Sequence, residues 1–391
     1  MTSPAPYAPV APYPRPVVAR PLPADATGEG LAYHRLVFAR RRSGWWTPLV
    51  TGLLGLAIYM AISIAFGVVA VLLSIFGGMT AFDPLLGMGG DLLDVTNPLL
   101  LLVVLGSIAL MWPSFSIASL VVNGPRVGLL SSVAGRLRWG WLGKTFLLAV
   151  AAIVIVSGLA MLLPAEGAVG GDVVAPEDNP AFLASLLVIL LIVPFQAAAE
   201  EYVFRGYLGQ MVGRWLRHPA WAILLPVPLF TFGHLYDAIG LISVSVFAVG
   251  AGWVTWRTGG LEAAISLHIV NNLVAFGQSL FGFSDANATE TDVWSLVSSV
   301  VMIGAYVAAV EVLFRRGDRR RTLRIVPAPA PAPAPWPAGA APWPAPVYPG
   351  AGPVYPGAAP AFPGAAPAPQ PSTPPADGPD QTATVSPSRI V

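Results

Sequence analysis

Hydrophobic positions gather into eight runs, at about 47–76, 97–122, 141–163, 181–214, 219–237, 239–256, 260–281 and 293–314, with short polar stretches between them. Apolar runs of roughly 18 residues or more, without strand-like alternation, predict membrane-crossing helices. The expected fold is all-α, a polytopic membrane protein with about eight transmembrane helices. The connecting loops alternate in charge. Five of the expected inner segments carry Arg35 and Arg40 to Arg42, then Arg126, Arg136 and Arg138, then Arg214 and Arg217, then Arg257, then Arg315, Arg316 and Arg319 to Arg321. The opposite loops hold Asp83, Asp91 and Asp94, then Glu166, Asp172, Glu177 and Asp178, then Asp285, Glu290 and Asp292. Because basic loops stay cytoplasmic, both termini are expected inside the cell.

Composition agrees with a bilayer solvent. Only 10% of the 391 residues are charged, against roughly 25% in soluble domains. With no Cys, a disulfide framework, a thiolate nucleophile and a Cys-ligated metal are all excluded. A net charge of +1 gives no reason to expect nucleic acid, and the nearly Lys-free, Arg-rich usage fits a high-GC bacterium and its plasma membrane.

Prolines mark the ends of the folded part. Eight of the 41 lie in residues 1–23 and 21 in residues 327–391, so three regions are expected. Residues 1–43 form a disordered Pro-rich tail with a basic juxtamembrane end, 44–322 the membrane domain, and 323–391 a disordered Pro/Ala/Gly-rich tail. Aromatic-Pro pairs recur in the second tail at Trp336, Trp343, Tyr348, Tyr355 and Phe362. They are either a repeat-expanded spacer or a strip on which a partner docks.

A charge or imidazole at membrane depth must be paired, lie at a helix end, or serve a function. Glu311 is explained by Arg315 one turn on, and Glu262 by its place at a helix start. The remainder is Glu200, Glu201 and Arg205 in the fourth run, His234 in the fifth, and His268, Asn271 and Asn272 in the seventh. Glu201 and Arg205 share a helix face and can neutralise each other, which leaves Glu200 without a local partner and free to face the histidines. Counting about 1.5 Å per residue from the turn near His218 puts Glu200 and His234 at one level. Asn272 approaches that level, and His268 sits one turn lower. His268 and Asn272 share a face, so both could point N–H groups at one developing oxyanion. The same spacing also suits interhelical hydrogen-bond glue.

Three motifs carry a family resemblance. Glu200-Glu201-Tyr202-Val203-Phe204-Arg205 resembles the Glu-Glu-x-x-x-Arg motif of the CPBP family, the CAAX-protease and bacteriocin-processing (Abi) membrane proteins. Phe230 to His234 is similar to its Phe-x-x-x-His, and His268 to Asn272 to its His-x-x-x-Asn, in order within about residues 180–280. The resemblance implies a glutamate-dependent intramembrane endopeptidase acting on membrane-associated peptides or proteins. In it Glu200 and His234 activate water, His268 and Asn272 stabilise the oxyanion, and Glu201 and Arg205 are structural. No cofactor is expected, although Glu200, His234 and His268 could supply three ligands to a zinc ion. The reading from another class is a non-catalytic immunity or scaffold protein whose polar cluster only holds helices together.

Overall fold

The computed structural model describes residues 22–26, 28–77, 82–87, 91–160, 174–317 and 320–325. The aromatic-Pro strip and residues 1–21 lie outside them. The helices are α1 (Thr47–Gly77), α2 (Pro98–Ala109), α3 (Met111–Asn123), α4 (Trp139–Ala160), α5 (Phe182–Glu201), α6 (Gly209–Trp215), α7 (Pro219–Leu224), α8 (Pro226–Thr231), α9 (Ala238–Thr258), α10 (Glu262–Leu280) and α11 (Val293–Arg315). A π-helical segment, Tyr202–Leu208, joins α5 to α6 without breaking the rod.

Among the described residues, six stretches are long and apolar enough to cross a membrane: Thr47–Phe76, Pro98–Asn123, Trp139–Leu159, Phe182–Trp215, Ala238–Thr258 and Val293–Arg315. The chain is therefore a multi-pass membrane protein. The expected count of eight does not hold for full apolar helices, and the two shortfalls have different causes. The 219–237 run is broken into α7 and α8, because Pro226 and Pro228 remove backbone donors that a continuous helix needs. In contrast, α10 is continuous but carries Glu262, His268, Asn271 and Asn272. Those polar groups are tolerated because α4, α5 and α9 pack around it and cover them with protein rather than lipid.

Helix ends meet at two rims. At one, Leu93 N donates to Asn287 Oδ1 (3.0 Å), and Asp237 caps α9 while its own N–H donates to Thr289 O (2.8 Å). At the other, Leu261 N donates to Ser131 O and Val133 N to Gly259 O, both at 2.9 Å. Arg138 grips the fully buried Glu262 there, with Nε at 2.9 Å and Nη2 at 2.6 Å, so this carboxylate at the start of α10 is paired rather than capping the helix.

The second, basic rim is closed by a collar in which residues 22–26 and 28–43, expected as part of an unfolded tail, are folded, while residues 1–21 lie outside the described residues. Strands β1 (Leu31–Ala32) and β2 (Thr322–Leu323) pair antiparallel, Leu31 opposite Leu323, and a 3-10 helix over Tyr33–Ala39 follows with nearly every side chain buried. Arginines lash it down. Arg35 donates to Gly213 O (3.0 Å), Arg40 to Ser119 O (3.0 Å) and Gly124 O (3.1 Å), Arg126 to Ala39 O (3.1 Å), and Arg214 to Ser43 O (2.7 Å). Burial drops the Arg40 guanidinium to about 10. His34 donates from Nε2 to Arg217 O (2.9 Å), and burial lowers its pKa as well. Leu31, Tyr33 and Leu36 join Leu129, Leu130, Tyr202 and Leu261 in one apolar cluster beneath the polar residues of α5.

Candidate active site

The intramembrane polar residues come together where α5 packs lengthwise on α10. On α5, Gln196 and Glu200 stand one turn apart on one face, while Glu201 is turned about 100° from Glu200 and pairs one turn on with Arg205. On α10, His268 and Asn272 make the matching i,i+4 pair.

Each rung has a defined partner. Glu201, wholly buried, accepts through Oε1 from Arg205 Nη1 and from His268 Nδ1, both at 2.8 Å. His268 Nε2 on the other side of the ring lies 3.4 Å from Glu200 Oε2, so one imidazole spans both carboxylates. Glu200 Oε1 accepts from Gln196 Nε2 (2.9 Å), and Gln196 Oε1 in turn accepts from Asn272 Nδ2 (3.0 Å). Asn271 Nδ2 donates to Asn272 Oδ1 (3.2 Å). The Arg205 guanidinium lies 4.3 Å over the Phe230 ring and also faces Phe247, a cation–π contact that helps hold a charge out of water.

Three buried polar atoms here make no hydrogen bond: Glu200 Oε2, Glu201 Oε2 and Arg205 Nη2. Desolvated polar atoms are costly, and a cluster left part-satisfied is the place where water or a reacting group gains most by binding.

The site departs from the sequence expectation at two points. Glu200 does have a local partner, Gln196, which stands one turn before it on the same helix face. His234 has no hydrogen bond to Glu200 among the described contacts. Instead the chain turns after α8, and His234 Nδ1 donates to Phe230 O (2.9 Å) with its ring 6.0 Å from Tyr236. It reaches the cluster through the Phe230 ring, which lies 5.0 Å from His234 and 6.0 Å from His268. With Nδ1 donating, Nε2 is the nitrogen left as acceptor. Ser266, two residues from His268, faces away and pairs with Thr145 (2.9 Å). Gln196 is the member that sequence reasoning misses, whereas Asn271 belongs to the polar set read from the sequence but to no motif role. The signal for Gln196 was its place one turn before an intramembrane Glu.

Glu200 and His268 lie close enough to share a small ligand, but no three His, Asp or Glu side chains among the described residues are grouped so as to hold a metal ion. His234 stands apart from the other two ligands that a zinc site would need.

Residues 181–274 match the Rce1-like family, type II CAAX prenyl endopeptidases. The uncharacterised protein YyaK of Bacillus subtilis (strain 168) is 30% identical over 99 residues, covering 24% of this chain and 33% of YyaK. No solved structure matches the chain. The three motifs and the whole polar cluster lie inside the stretch that matches this family.

Proposed function

We propose that the protein is an intramembrane endopeptidase that hydrolyses peptide bonds of membrane-associated substrates with water activated by Glu200. The observation that carries this reading is the convergence on one buried locus of a carboxylate with an unbonded oxygen, an imidazole facing it at 3.4 Å, and a side-chain amide one turn above. Glu200 Oε2 takes the proton from water as the oxygen attacks the scissile carbonyl. His234, whose Nε2 is left to accept, is the second residue assigned to activating that water. With its Nδ1–H held by Glu201, which Arg205 pairs in turn, His268 donates from Nε2 to the oxyanion as the imidazolium, and Asn272 donates beside it from its amide. No metal takes part. The basic rim faces the cytoplasm, both termini lie there, and the chain passes eight times between the rims of a bacterial plasma membrane, with the broken 219–237 segment and α10 completing the set. The aromatic-Pro tail serves as spacer or partner-docking strip outside the chemistry.

The test compares peptides released in cells carrying wild type or Glu200→Gln, together with hydrolysis of a farnesylated CAAX peptide by purified protein in detergent. An amide still hydrogen-bonds but accepts no proton, so Glu200→Gln is expected to lose cleavage altogether while keeping its thermal midpoint. Retained function in Glu200→Gln would show the cluster to be helix glue. One zinc per purified chain, lost in both His234→Ala and His268→Ala along with activity, would replace the metal-free scheme.

A further inference from the structure

Gln196 belongs to none of the three motifs, yet it is the one side chain bonded to both the carboxylate and the amide of the cluster. Its bonds fix the direction of every neighbouring amide. Ionised Glu200 can only accept, so Gln196 must turn its NH2 toward it, at 2.9 Å. That leaves Gln196 Oε1 toward α10, where it can meet only a donor, and Asn272 turns Nδ2 to it at 3.0 Å. Asn272 Oδ1 then faces Asn271 Nδ2 at 3.2 Å. Donors in this chain all point the same way, from Asn271 through Asn272 and Gln196 to Glu200, and hydrogen bonds aligned in series polarise one another.

From this we infer that Gln196 is a positioning residue, which sets the carboxylate of Glu200 and the amide of Asn272 in register for one reaction. The inference rests on the proposed peptidase reading. Asn272 Nδ2 carries two N–H groups; one is held by Gln196, and the second is thereby aimed away from Gln196 with its rotation stopped. Without Gln196 the Asn272 amide is free to rotate and present its carbonyl face, which would repel an oxyanion. Glu200 would lose the bond that keeps its second oxygen turned toward His268. Gln196 itself is 4% exposed, and both its amide atoms are satisfied within the cluster, so no competing partner accounts for its placement.

The experiment uses full-length protein in detergent and a quenched-fluorescent farnesylated CAAX peptide, with Gln196→Met as the near-isosteric apolar variant. Gln196→Met is expected to keep KM within about twofold and to lower kcat by about 10–100-fold, as misorientation of reacting groups does. Combined with Asn272→Ala it should add little further loss, because the two residues act as one unit. A kcat at the wild-type level in Gln196→Met, or losses that multiply in the double variant, would overturn the inference while Glu200→Gln stays inactive. Failure of the wild type to cleave, or undiminished cleavage by Glu200→Gln, would instead overturn the peptidase reading, and the inference with it. Should Gln196→Met fail to fold, Gln196→Glu serves in its place. It keeps the size and polarity but sets a second acceptor against Glu200, so the same kcat loss at constant KM is expected, and wild-type kcat would again refute it.

Discussion

The collar at the basic rim and the cluster between α5 and α10 both bury charge, and they do so in opposite ways. In the collar, Arg35, Arg40, Arg126 and Arg214 donate to backbone carbonyls at chain ends and turns, and Arg138 takes both oxygens of Glu262. In the cluster, Glu200 and Glu201 share one imidazole and each keeps an unbonded oxygen. Guanidiniums bonded to backbone carbonyls hold chain segments in place, and the collar's leftover Arg40 Nε and His34 Nδ1 belong to side chains fixed by those bonds. In the cluster the unbonded atoms are carboxylate oxygens beside an imidazole, which keeps an opening for chemistry at a cost in stability met by the packing around them.

The largest expected effect separates pairs from the lone base. Arg138→Ala strands a fully buried Glu262, and Arg205→Ala leaves Glu201 without its cation, so each should lower stability by about 3–5 kcal/mol, read as a fall in detergent melting temperature. Glu200→Ala should leave the melting temperature nearly unchanged and abolish cleavage. Equal stability and equal activity of Arg205→Ala and Glu200→Ala would erase the distinction between the two kinds of buried charge.

A middle-sized effect tests how tightly the collar seats. A Cβ placed on Gly213 would lie 1.8 Å from the His34 carbonyl oxygen, a distance only a backbone shift can relieve. Gly213→Ala should therefore cost about 1–3 kcal/mol, the usual penalty for overpacking, and raise protease sensitivity within residues 22–43. A wild-type cleavage pattern would mean that the collar rests loosely on α6.

The smallest effect is in pH. Burial keeps the folded-state pKa of His34 below its unfolded value, so the unfolded chain takes up the proton first as pH falls. Its stability contribution is complete above the unfolded value near 6.5 and is lost progressively below it, toward the lower folded value. The melting temperature should decline on acidification through that window, with a shallower slope in His34→Gln. Identical slopes would remove His34 from the account.

The parts legible in sequence were those set by local pattern. Six apolar stretches and the Glu201–Arg205 and His268–Asn272 spacings follow from composition and helical period alone. The break between α7 and α8 was written in Pro226 and Pro228, but a mean over the run is dominated by its apolar neighbours and passes over them. Nothing local marks the collar. Tyr33, Leu36 and Arg40 are buried by residues about 80 or more positions away, so their segment looks like a tail until the bundle is assembled. The π-helical segment is equally non-local, since Tyr202 stacks on Trp112 at 5.2 Å and Arg205 lies on Phe230. Gln196 escaped because an isolated amide on an apolar helix resembles many others until Asn272 stands opposite it.

The clasp of β1 with β2 makes the membrane domain a ring. Ile325 N donates to Ala26 O at 2.9 Å, so the chain leaves the folded unit within hydrogen-bonding reach of where it entered. A linker of a few residues between those points would close the circle at little entropic cost, and new ends could be cut at an exposed loop of the acidic rim without separating α5 from α10. In the native chain, the same closure sets residues 22–26 beside residues 320–325, so the two ends of the described domain share one point of attachment.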